Sequence, residues 1–222
     1  MTARLDSRTV ILAGVFWGSA WGLYEATVGW LVHNVVRFAG ASGVLLVPFA
    51  VFCLYRALRA GGSYRSVGLA AATAASLKLA DFLLPAPRLH TVFNPAVAIL
   101  LEGLAFALVA RRLADHRRRT SLAAVAIGAV AFNTVWRVLF LVYSAGIAAG
   151  WSIGLMLDGL HTPAGFLVRD SLASSAVIAG GAVLVHRVPD LAGVVRPQPG
   201  PLATGSIFAL ALLVELAMGL LG

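Results

Sequence analysis

Apolar residues along this chain gather into long, nearly unbroken runs instead of alternating with polar ones. Seven runs, near 10–32, 41–58, 66–84, 92–110, 121–144, 166–186 and 203–221, approach the length that lets a helix cross a bilayer,. The pattern predicts an all-α polytopic integral membrane bundle of six to seven transmembrane helices. It forms one domain over 1–222, with a core bundle at 10–186, a Pro-rich linker at 187–202 and an additional carboxy-terminal helix at 203–221. The linker follows from Pro189, Pro197, Pro199 and Pro201, which stiffen a chain and cannot continue a helix,. The last helix, which carries Glu215, is expected to lie at the periphery of the bundle. The connection 145–165 is too polar and glycine-rich for a confident span, and suits the outer interface or a re-entrant lid,.

Within the first run, at helical spacing, Gly14, Gly18, Gly22 and Ala26 make a ridge of small side chains,. Such a ridge lets another helix approach closely. Glu25 and His33 fall on the same side, and a carboxylate there meets protein or a polar cavity instead of lipid,. Helix two ends in a basic turn at Gly61-Gly62, helix four opens with Asn94 as a cap before Pro95, and Pro85 and Pro87 end helix three,.

Composition agrees with a membrane class. The chain has 222 residues, 60% of them hydrophobic and 12% charged, with mean hydropathy +0.91, well above soluble domains,. A net charge of +8 would suggest nucleic acid in a soluble chain. Here the basic residues sit in short connections, where they orient helices, so nucleic acid is not an expected partner. With the amino terminus cytoplasmic, the inner segments hold Arg4, Arg8, Arg56, Arg59, Arg65, Arg111, Arg112, Arg117, Arg118, Arg119, Arg187 and Arg196. Only Arg37, Lys78, Arg88, Arg137 and Arg169 fall in the membrane or toward its outer face. The lone Cys53 permits no intrachain disulfide, and the first run lacks a cleavage signature and is expected to stay as a mature helix,.

Polar residues gather in the outer half or at the outer surface: Glu25, His33, Arg37, Lys78, Asp81, Arg88, His90, Asn94, Arg137, Asp158, His161, Arg169 and Asp170, with Glu102 near the midplane. Lys78 and Asp81, three apart, can pair, and a neutral pair is cheaper in lipid than either charge alone. Arg137, four residues after Asn133, requires a carboxylate or a ligand anion. Such a mixture suits a pocket for a polar solute, with Trp21, Phe93 or Trp136 available for stacking; a purely structural polar network is the other reading. In the pocket reading Glu25 and Glu102 accept hydrogen bonds, Lys78 and Arg137 hold an anionic group or balance the acids, and Asn94 orients the ligand. His33, Asp81, Asp158, His161, Arg169 and Asp170 make a possible additional outer-face site. The histidines lack zinc-motif spacing, and neither a GxSxG elbow nor a phosphate-binding GxxxxGK[ST] loop is present, so no catalytic residue, metal or cofactor is expected,.

The combination WGSAWGLYEATVGWLVH, SLKLADFLLP, FNPAVAILLEGLAFAL and FNTVWR, within residues 10–140, resembles the substrate-binding S components of energy-coupling factor transporters. The resemblance implies a helical bundle that captures a vitamin, vitamin precursor or metal ion at the extracytoplasmic face. It also implies partners: a transmembrane coupling subunit and cytoplasmic ABC-type ATPases, with a small-residue stripe on helix one, here Gly14, Gly18 and Gly22, as the docking surface. That stripe is typically alanine in the family, and the family's bundle has six helices. The expected function is therefore capture of a small polar solute in the bacterial cytoplasmic (inner) membrane, amid membrane lipids, without an ATPase of its own. The alternatives are an integral membrane enzyme acting on a lipid or lipid-linked substrate at the outer leaflet, using His33, His90 and His161, and an assembly factor without a small ligand.

Overall fold

In the computed structural model the described residues are 6–36, 41–85, 89–115, 121–146, 163–187 and 199–221. They form seven helices: α1 Ser7–Tyr24, α2 Ala41–Gly61, α3 Tyr64–Leu79, α4 Leu89–Asp115, α5 Leu122–Gly146, α6 Asp170–Arg187 and α7 Pro201–Leu221. The fold is the all-α bundle that the apolar runs predict. Six of the helices, α2 to α7, are long and apolar enough to cross a membrane, so the chain is a multi-pass membrane protein,. α1 is not among those six. It is prolonged by π-helical turns at Glu25–Gly29 and Val32–Val36, and another π turn, Gly165–Arg169, leads into α6.

Local chemistry sets the ends of the helices. Asp6 accepts the Arg8 amide at 3.1 Å and caps α1, and Ser63 accepts the Arg65 amide at 3.2 Å and caps α3,. Gly62, at φ 61°, takes the left-handed turn that ends α2 and donates its amide to the Leu58 carbonyl,. The Ser66 hydroxyl lies 2.7 Å from the Ala57 carbonyl and ties the two helices together just past that turn. α4 corrects the expected cap. It begins at Leu89, so Asn94 and Pro95 lie inside it, and Asn94 is buried and accepts from the Tyr143 hydroxyl at 3.2 Å.

The glycine ridge of α1 meets α3 running in the same direction. A Cβ on Gly14 would stand 3.1 Å from the Ser66 carbonyl, one on Gly18 would stand 2.7 Å from Thr73 Cβ, and one on Gly22 would stand 2.6 Å from Leu77 Cδ1. The matching face of α3 presents Ser66, Leu69, Ala70, Thr73 and Leu77, whose atoms occupy the space the glycines leave. Gly14, Gly18 and Gly22 are therefore filled from within the chain, which corrects their expected role as a surface for another subunit. The small residues of α1 let α3 approach closely, and the two helices gain dispersion contacts along the whole seam.

The other neighbours alternate in direction. Tyr24 stacks on Phe49 at 4.1 Å, and Trp17 meets Phe52 edge-on at 5.6 Å, which places α2 antiparallel to α1. Arg111 lies over the Tyr64 ring at 4.7 Å, and Asn133 bonds Ser175 at 3.0 Å, so α4 runs against α3 and α6 against α5. α7 packs beside α1 and α3 along a stripe of Thr204, Ala211 and Glu215. It is joined to the core by its one carboxylate, while Leu202, Leu210, Leu213, Leu220 and Leu221 are exposed, the peripheral position expected for it.

Alternation sorts the charges to two ends. Arg8, Arg56, Arg59, Arg65, Arg111, Arg112 and Arg187 stand near one end of the bundle. Glu25, Lys78, Asp81, Asn94, Arg169, Asp170 and Glu215 stand toward the other, with Glu102 near the middle of α4.

Candidate functional site

The polar end is built from two charged clusters and an acidic centre between them; Asp81 Oδ1 in the first cluster and Arg137 Nε in the second are buried without a hydrogen-bond partner. The first cluster joins α3, the 3-10 turn Ala80–Leu83 and α7. Lys78 Nζ lies 2.7 Å from Asp81 Oδ2 and 2.7 Å from Glu215 Oε1. The spacing of three between Lys78 and Asp81 made that pair legible; Glu215, far away in sequence, was not.

The second cluster is centred on Arg137, which is fully buried between α5 and α6. One terminal nitrogen donates to Asn133 Oδ1, and the other donates to the Asp170 carbonyl at 3.2 Å and the Ser174 hydroxyl at 3.1 Å. Trp136 and Phe166 cover the guanidinium with ring centroids at 4.5 and 5.2 Å,. The Ser174 hydroxyl also lies 2.7 Å from the Gly43 carbonyl, and a Cβ on Gly43 would come within 2.9 Å of the guanidinium, so α2 closes this side. The Asp170 carboxylate takes the Arg169 Nε at 2.8 Å, with Asp170 buried and Arg169 half exposed. Arg137 is thereby held by neutral oxygens and aromatic faces, where the sequence called for a carboxylate or a ligand anion. The planar, weakly hydrated guanidinium fits such an environment better than an ammonium would.

Between these clusters stand Glu25 and Glu102. Glu25, the first residue of a π turn, is partly buried and accepts the Trp21 indole N–H at 3.2 Å. Glu102 is 6% exposed, and its Oε2 is buried with no hydrogen-bond partner. The charges act on one another in sequence across the bundle: Glu102 lies in electrostatic range of Glu25 and Arg137, and Glu25 in range of Lys78,. The π turn at Glu25 and the one carrying Phe166 both border this region, as π turns often border functional sites,.

The structure thus gathers Glu25, Lys78, Glu102 and Arg137, while Asn94 lies two turns before Glu102 on α4 and is bonded to α5 through Tyr143. The expected stacking residues are engaged: Trp21 on Glu25, Phe93 against Phe82 at 5.1 Å, and Trp136 on Arg137. Asp158 and His161 lie outside the described residues, as do Arg37, Arg88 and most of the 145–165 connection; His33 is described only as backbone in the second π turn. His90 is exposed at the start of α4. Among the described residues no group of three or more His, Cys, Asp or Glu is placed to hold a metal ion. Sequence reasoning missed Glu215 as the partner of Lys78 and Phe166 as a cover for Arg137. A buried carboxylate in an otherwise apolar helix was the available signal for Glu215; Phe166 carried none.

Fold and site together define a multi-pass helical membrane protein with a charged centre inside one end of its bundle. Compared with protein-family models, curated proteins and solved structures, the chain matches none.

Proposed function

We propose that the chain is the substrate-capture membrane subunit of an energy-coupling transporter, akin to the S components its sequence resembles, in the bacterial cytoplasmic membrane. The observation that carries this reading is Glu102: a buried carboxylate oxygen left without a partner, midway through a spanning helix and in electrostatic range of a fully buried arginine. That oxygen is one of several buried polar atoms here without a partner, with Asp81 Oδ1 and Arg137 Nε; an unmet buried acceptor is costly, and a solute donor completes it,. Arginines at the opposite end favour that end in the cytoplasm, which puts the polar centre toward the extracytoplasmic side,. Glu25 and Glu102 accept hydrogen bonds from the solute, of the vitamin or vitamin-precursor class. Asn94 orients it, and the clusters around Lys78 and Arg137 frame it. A coupling subunit docks on a lipid-facing surface other than the glycine ridge, since α3 fills that ridge.

The test is affinity purification of the full chain from its native host, with copurifying subunits and small molecules identified by mass spectrometry. A coupling subunit, ATPases and one retained polar solute are expected. A chain that purifies alone with bound lipid intermediates rejects the transporter reading and moves the assignment to an enzyme of lipid metabolism.

A further inference from the structure

Resting on the reading that the polar centre binds a solute, we infer that the solute is an organic cation whose charged N–H donors meet Glu102 and Glu25. The sequence assigned Lys78 and Arg137 to an anionic group, but both are largely committed, and of the Arg137 nitrogens only Nε is without a partner among the described residues. Lys78 is held between Asp81 and Glu215, and the two terminal nitrogens of Arg137 are committed to Asn133, the Asp170 carbonyl and Ser174. Among the charged groups of this end, most of the open capacity is acceptor capacity on carboxylates, Asp81 Oδ1 included. Glu102 Oε2 has no partner, and the Glu25 carboxylate receives the Trp21 indole N–H as its one hydrogen bond among the described residues.

Formal charge points the same way. Among the described residues of this end, Glu25, Asp81, Glu102, Asp170 and Glu215 face Lys78, Arg137 and Arg169, five acids against three bases. One surplus negative charge falls on the Lys78 cluster, where Asp81 and Glu215 share one ammonium. The other falls on Glu25 and Glu102, which have Arg137 in electrostatic range of Glu102 and no ion pair of their own among the described residues. Uncompensated carboxylates are expensive in a low-dielectric bundle, so this centre attracts positive charge and repels anions. An ammonium or amidinium supplies both the charge and the donors, and charge-assisted bonds of this type are the stronger ones. Protonation of the two carboxyls is the competing way to neutralise the centre, and it carries no preference for organic cations.

The experiment compares ring-matched probes on the purified full chain by calorimetric titration: benzamidine and tryptamine against benzoate and indole-3-acetate. The cations are expected to bind, and the anions are not. Glu102→Gln and Glu25→Gln, which keep shape and remove charge, should each weaken cation binding by about tenfold or more. Binding of the anions as tightly as the cations, no binding of either cation, or cation affinity unchanged in both variants overturns the inference. If a variant fails to survive extraction, the comparison on the unaltered chain decides alone. Cation binding by a chain that copurifies with no ATPase keeps this inference and rejects the transporter. A transporter complex that retains an anion at this centre does the reverse.

Discussion

Lys78 shows what a single side chain holds together. Its ammonium contacts carboxylates from its own helical segment and from the far end of the chain, and thereby fixes α7 to α3. Lys78→Met would leave Asp81 and Glu215 facing each other without a cation in a poorly solvated place. The expected loss is on the order of 3 kcal/mol, as for other broken buried pairs, read as a lower melting temperature of the detergent-solubilised protein. Adding Glu215→Gln to Lys78→Met should recover part of it, because one of the stranded charges is then gone. A Lys78→Met protein that melts like the original would show that the triad contributes nothing to stability. At this scale the Lys78–Asp81 pair was legible because helical spacing is local information. The Glu215 contact and the aromatic cover on Arg137 were not, because both depend on which helices become neighbours.

At the scale of elements, α1 and α3 share the most extensive helix contact of the bundle, and the glycines of these two helices differ in consequence. Gly18 faces α3 so closely that an added Cβ would stand 2.9 Å from Ala70 Cα, backbone that cannot step aside. Gly68, on α3 itself, has nothing within 4 Å of where a Cβ would go. Gly18→Ala should therefore destabilise by about 1–3 kcal/mol through overpacking. Gly68→Ala should be neutral or stabilise by up to about 1 kcal/mol through helix propensity. Thermal unfolding of the two variants side by side checks this, and equal melting temperatures would refute the packing account. The ridge itself was readable from a spacing of four. Its occupant was not, since an alanine-rich α3 and a separate subunit are equally good partners on paper. The Asn94 cap failed for a related reason: Asn-Pro is a frequent helix start, but packing against α5 draws the helix back to Leu89 and uses Asn94 as a cross-helix acceptor.

For the whole molecule, the sorting of charge to two ends predicts how the chain sits in the membrane. Cys53 is fully buried, so single cysteines placed elsewhere report cleanly. His90 and Ser121 are exposed, near opposite ends of the bundle. In intact cells a membrane-impermeant maleimide should label His90→Cys and leave Ser121→Cys unlabelled until the membrane is opened. The opposite pattern would invert the orientation and place the polar centre on the cytoplasmic side. By itself the sequence determined the all-α membrane class, the approximate helix spans and the gathering of polar residues toward one end. Those follow from run length, local periodicity and the cost of charge in lipid, which act within a helix or its adjoining turn. Only the tertiary structure decided that α3 fills the glycine ridge, that Glu215 completes the Lys78 cluster, and that Lys78 and the terminal nitrogens of Arg137 are engaged while Glu102 Oε2 is left open. Those outcomes depend on which helix faces meet, and hydrocarbon contacts alone distinguish little between one apolar face and another.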